Sequence, residues 1–250
     1  MRSARRSLHR DEILNRGDRD AEAVQVHPVG LASQHRIAWR AFRAGQQIEV
    51  PRRCRERQYL DVLQRVGVGH EGQALLDAAQ SDEIWQYTLD RPQTMETMRD
   101  YIARAIVDRD NQTAIPFAVR HIGTNRLIGC TRYVNIAPLR RGLEIGFTWY
   151  APEFWRTAVN TECKYLLLKH AFETMHYFRV ELQTMSKNAR SRAAILRLGA
   201  TEEGILRSRL VRRNGERADS IFFSILDHEW PAVKAKLEGA LKSGASTSQR

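Results

Sequence analysis

Arg156-Thr157-Ala158-Val159-Asn160-Thr161 is a run of small and polar residues between the aromatic pair Phe154-Trp155 and an apolar-periodic segment. Backbone N–H groups of such a loop, opening onto a helix N-terminus, suit a pyrophosphate. A simple cap competes with that reading. Asn160 can cap a helix starting at Thr161, and Glu162 in the first turn suits the positive end of the helix dipole. The cap alone does not explain why residues 156–160 are small and polar. Upstream, alternation puts Leu143, Ile145, Phe147 and Trp149 on one face of a strand and Glu144, Gly146, Thr148 and Tyr150 on the other. Glu144 is then either a proton acceptor or a carboxylate paired with an arginine, and both readings stay open. Asn188 and Ser191 form an N-x-x-S that opens a further helical pattern, where Asn188 is a ready N-cap.

Other spacings carry less. Gly67 to Gly72 reads G-x-G-x-x-G, with Asp90 downstream, but a helical pattern rather than a hydrophobic strand surrounds that acid, so a turn into a helix is the better account. H-E-x-x-H, G-x-S-x-G and G-x-x-x-x-G-K-[ST] are absent. Cys54, Cys130 and Cys163 are isolated, which reads as reduced thiols and a cytoplasmic protein. The histidines are dispersed, and His170, inside an apolar-periodic helix, reads as packed. No stretch approaches the ~20 apolar residues of a membrane span. The net charge is +11, of which residues 1–57 supply +6 through 13 arginines against 7 acids.

The elements that must position these residues begin near Tyr59. Residues 1–57 lack periodicity and have few large apolar side chains, so they read as a basic, poorly ordered extension. Beyond them the pattern runs strand, helices, three strands, helix, strand, helix, two strands, helix. Gly123-Thr124-Asn125 and Asn214-Gly215 supply hairpin turns. The strand–helix–strand unit from Gly142 to Met185 implies a parallel pair with a right-handed crossover, flanked by antiparallel hairpins. The expected architecture is a mixed-sheet α/β domain over residues 58–242, with a flexible tail at 243–250.

Three segments in order, 142–173, 179–207 and 214–231, resemble the GNAT N-acetyltransferases, and within them the RimJ/RimL-like branch. The resemblance covers residues 59–241 and implies a mostly antiparallel twisted sheet with a central parallel pair, flanked by helices. It implies acetyl-CoA as acetyl donor, with Phe147, Thr148, Trp149 and Tyr150 offering backbone groups to pantetheine and residues 156–161 binding the pyrophosphate. The family's loop usually reads Q/R-x-x-G-x-G/A. One register puts Trp155, Ala158 and Asn160 at its defined positions, the other Arg156, Val159 and Thr161, and neither matches fully. The resemblance also implies that Asn188 touches pantetheine, that Ser191 protonates the departing thiolate, and that Trp85, Tyr87 and Asp90 shape the acceptor cleft.

The expected activity is direct acetyl transfer to a primary amine, on a protein N-terminus or a small molecule, with Glu144 as base and no metal. The expected partners are that amine and at most a second copy of the chain, with no membrane and no nucleic acid. Two alternatives stay open. One is an acyl-CoA-binding sensor without turnover, and the other a nucleic-acid-binding protein that uses the basic arm.

Overall fold

The structure is a computed structural model that describes residues 61–63 and 70–247. The expected extension at 1–57 and the turn at Gly67 lie outside the described residues. The chain runs β1 (Asp61–Leu63), α1 (His70–Ala78), α2 (Asp82–Trp85), α3 (Met95–Asp110), β2 (Ile115–His121), β3 (Arg126–Ala137) and β4 (Gly142–Tyr150). It continues through α4 (Val159–Lys169), β5 (Arg179–Met185), α5 (Ala189–Leu198), β6 (Thr201–Val211), β7 (Arg217–Leu226) and α6 (Trp230–Thr247). α6 continues past the expected domain end at residue 242.

The strands form one seven-stranded sheet in the order β1-β2-β3-β4-β5-β7-β6. Its neighbours are antiparallel except β4 and β5, the parallel pair expected from the strand–helix–strand unit. Helices cover both faces. In α3 the buried residues Met98, Tyr101, Ile102 and Ala105 recur at helical spacing, and Thr94 and Thr97 close a reciprocal capping box at its start. That stripe, with Leu75, Trp85 and Trp149, makes the core of one face. The other face packs Leu143, Ile145, Tyr150, Val180 and Ile221 against Cys163, Leu167 and Trp230. His170 belongs to a π-helical turn that extends α4, and it stacks on Tyr133. Burial pushes its pKa down to about 4.

Two features of β4 depart from a regular strand. It pairs with β5 only from Gly142 to Glu144, opposite Arg179 to Glu181, although both strands continue. Against β3, Gly146 pairs with Arg132 but Trp149 pairs with Cys130, so Phe147 and Thr148 together oppose Thr131. Phe147 takes the left-handed conformation that absorbs this extra residue, at φ 51.

The bulge reverses the expected alternation. Tyr150 joins Leu143 and Ile145 in the α4 core, whereas Trp149 turns to the opposite face against Trp85. Thr148 likewise meets α4, through Lys164. Glu144 therefore does not share its face with Thr148 and Tyr150, because one added residue inverts every side chain beyond it.

The two strands flanking the bulge approach closely at Gly129, which pairs with Tyr150. A Cβ there would lie 2.0 Å from the Trp149 carbonyl oxygen, a backbone atom that cannot swing aside. Gly129→Ala should therefore cost at least about 2 kcal/mol in denaturant unfolding. A variant with wild-type stability would show that the two strands separate freely at this point.

Candidate functional site

Past Glu144 and Glu181 the two central strands part, and the edge of β4 that faces β5 has no strand partner among the described residues. The starts of α4 and α5 both lie at the ends of these strands. In the loop before α4, Trp155 donates its indole N–H to the Tyr150 carbonyl at 2.8 Å. The Thr157 hydroxyl donates to the Phe154 carbonyl and accepts from the Val159 amide. α4 thus begins at Val159 with Ala158 at its N-cap, and Ala158 itself has no capping side chain.

The expected Asn160 cap is corrected here, since Thr157 serves the first amide and the helix starts two residues earlier. No described residue accepts from the amides of Asn160 and Thr161. Open donors at a helix start fit an anion. Ala158 has φ −68, so its place does not call for glycine, and the loop's left-handed residue is Arg156 at φ 63.

Arg190, in the first turn of α5, lays its guanidinium 3.6 Å from the Trp155 ring centroid. Burial lowers its pKa, Glu83 and Tyr87 pull the other way, and nearby Arg156 adds to the lowering. Two cations thus crowd the mouth between the two helix starts. Asn188 accepts from the Ser191 amide at 3.1 Å, so it does cap α5, and Ser191 sits beside it, half-buried.

Glu144 is 3% exposed. Its carboxylate accepts from the Asn135 amide at 2.7 Å and from Gln183 at 3.0 Å. Gln183 belongs to β5, so this side-chain bond crosses between the strands beyond their last backbone pair. Its own carbonyl accepts from the Ser220 hydroxyl. Among the described residues no arginine pairs with Glu144. Burial raises its pKa, and the Gln183 and Asn135 hydrogen bonds offset that only in part.

The expected acceptor residues divide. Trp85 is core, 1% exposed, and donates to the Ala79 carbonyl. Tyr87 and Asp90 are half-buried on the loop beyond it. The Asp90 carboxylate pairs with Arg104 at 2.7 Å and borders an open cleft of ≈ 500 Å³ with Asp100, Asp108, Arg132 and Phe147. The β6–β7 hairpin reaches over this loop. Arg213 donates to the carbonyls of Asp90 and Trp85, and Arg212 to that of Gln86. Among the described residues no group of His, Cys, Asp or Glu could hold a metal, and no helix is long and apolar enough to cross a membrane.

Residues 70–201 match the acetyltransferase (GNAT) domain family. The chain belongs to the GNAT acetyltransferases. It is 31% identical over 154 residues to YdaF of Bacillus subtilis (strain 168), named as a candidate ribosomal N-acetyltransferase, a match covering 60% of this chain and 80% of that one. A crystal structure of a candidate acetyltransferase from T. thermophilus shares 30% identity with a TM-score of 0.67, covering 77% of this chain and 98% of that one. Mycobacterium smegmatis RimJ in complex with CoA-disulfide has the same fold at 20% identity and a TM-score of 0.61, covering 73% and 92% of the two chains.

Several site residues of this GNAT enzyme were not legible in advance. Gln183, Asn135, Lys164 and Arg190 come from four separate elements and carry no motif of their own. Only the polar Gln183 inside a central strand offered a signal.

The raised pKa of Glu144 has a definite sign. A carboxyl that ionises less readily in the folded chain adds stability below its unfolded value, and this is lost as pH rises through the folded value. Glu144→Gln removes that loss. The melting temperature of the variant relative to wild type should therefore climb between pH 4 and pH 8. A difference that is flat with pH would mean that Glu144 ionises as freely in the fold as outside it.

Proposed function

We propose that this enzyme transfers the acetyl group of acetyl-CoA directly to a primary amine, within a domain spanning residues 58–242. One observation carries the reading: an unpaired strand edge runs from a buried carboxylate, Glu144, to the open amides at the start of α4. An extended, amide-bearing pantetheine can pair with such an edge as an added strand would. Phe147, Thr148, Trp149 and Tyr150 supply its backbone groups, and the bulge at Phe147 frees amide groups from the β3 ladder.

The diphosphate of the donor suits residues 156–161, where the amides of Asn160 and Thr161 have no acceptor among the described residues and Arg156 and Arg190 bring positive charge. Because Ala158 does not need a glycine's φ, departure from the family's usual loop does not oppose binding. Glu144 accepts the amine proton, directly or through water, and its burial moves its pKa toward the range useful for a base near neutrality. Asn188 fixes the start of α5, from which Ser191 protonates the departing thiolate. Tyr87 and Asp90 form the acceptor wall, with Trp85 supporting them from the core.

The name of the Bacillus subtilis relative makes a ribosomal protein N-terminus the first acceptor to try, ahead of small amines. The test follows free-thiol release from acetyl-CoA across a panel of peptides and amines. Tight acetyl-CoA binding with no thiol released by any acceptor would instead make this chain an acyl-CoA sensor.

Glu144→Gln should lower kcat by about 10²–10⁴-fold while leaving the acetyl-CoA dissociation constant within about twofold. Normal turnover would place the base elsewhere. Arg190→Ala should weaken CoA at least tenfold, about 1.4 kcal/mol, in calorimetry and leave S-acetylpantetheine, which lacks the phosphates, unchanged. Equal losses for both ligands would mean that Arg190 supports the fold rather than the diphosphate.

A further inference from the structure

Lys164 has no part in the mechanism above, yet it is one of the few buried charged side chains, at 5% exposure. It projects from the second turn of α4 and donates to the Thr148 hydroxyl at 2.7 Å. An ammonium only donates, so Thr148 passes its own proton onward, to Thr131 at 2.8 Å or to the Gly146 carbonyl. Among the described residues no carboxylate comes within ion-pair distance of Lys164, and Thr148 is its one acceptor. The remaining N–H groups of the ammonium find no acceptor among the described residues.

Such a cation is costly to bury, and a methionine of similar length would fill the same space without that cost. Burial lowers the Lys164 pKa to about 8, while Glu144 supports the charge. The Cys163 thiol, the other group that acts on this charge, is neutral at pH 7. Burial raises the Cys163 thiol on α4 and the Tyr150 hydroxyl on β4.

The position suggests what compensates the cost. Thr148 sits in the bulge, on the stretch of β4 that β5 has left, four residues beyond Glu144. The ammonium is therefore hydrogen-bonded to one end of the open strand edge and electrostatically coupled to the carboxylate at the other.

We infer that Lys164 is a positioning residue for acetyl transfer: through Thr148 it holds the bulge, and its charge favours negative charge where the donor's sulfur departs. This rests on the acetyl-CoA reading. As the amine nitrogen bonds to the acetyl carbon, the carbon–sulfur bond breaks, its electron pair goes to sulfur, and Glu144 takes the amine proton. Lys164 keeps its own proton throughout and stabilises the thiolate. Preorganised charge of this kind is where enzymes gain most.

The test is to titrate the thiol of bound CoA by thiolate ultraviolet absorbance, against ligand-free protein, in wild type and Lys164→Met. Cys130, pushed up to about 12, does not contribute in the working range. The bound thiol should titrate about one pH unit lower in wild type, a tenfold gain in thiolate at a given pH. Turnover of the variant should fall at least tenfold, with its acetyl-CoA dissociation constant within threefold. Thr148→Val, which keeps the lysine but removes its acceptor, should shift the thiol in the same direction by less, and it serves should Lys164→Met fail to fold. A thiol that titrates alike in wild type and in the folded variants overturns the inference. A wild-type protein that binds no CoA overturns the acetyl-CoA reading instead, so the two failures are separable.

Discussion

β4 and β5 stay together for three residues and then separate, and the proposed binding of the donor depends on the backbone this exposes. Unpaired amides and carbonyls inside a sheet are expensive unless something takes the place of the missing strand. The protein meets part of that cost with side chains. Gln183 reaches from β5 to Glu144, and Lys164 comes from α4 to Thr148. The strands are held near each other by contacts that leave the intervening edge free.

The bulge at Phe147 links this opening to the cores on either side. By inserting one residue it sends Tyr150 under α4 and Trp149 under α2, so both faces pack against the same short segment. Gly129 allows the neighbouring strand to close up behind it. The candidate site is thus built on strands with packed faces, and loops supply the segment before α4 and the wall beside Asp90.

Much of this order was legible in the sequence because it is periodic. Seven strands, the helices between them and the parallel pair follow from apolar spacing and from turns such as Asn214-Gly215. Local irregularities were not legible. Alternation extrapolated through Phe147 misplaced Thr148 and Tyr150, since nothing in Gly-Phe-Thr announces a left-handed phenylalanine. Asn160 looked like a cap because its type suits one, but Thr157 took the first amide. Lys164, the first lysine of the chain, looks like one more polar position on an amphipathic helix. Its burial depends on Thr148, which only the bulge turns toward it. Long-range partnerships such as Arg190 with Trp155 have no local signature at all.

The hairpin between β6 and β7 carries a consequence for how such a molecule is made. Arg212 and Arg213 hold the carbonyls of Trp85, Gln86 and Asp90, across 123 to 128 residues of chain. A chain emerging from the ribosome can assemble the opened strands and both helix starts before these arginines exist. The wall of the cleft beside Asp90 gains its clasp only when the last strands arrive. Domains fold from the N-terminus during synthesis, so on the proposed reading the donor side can form first and the acceptor side is fastened last.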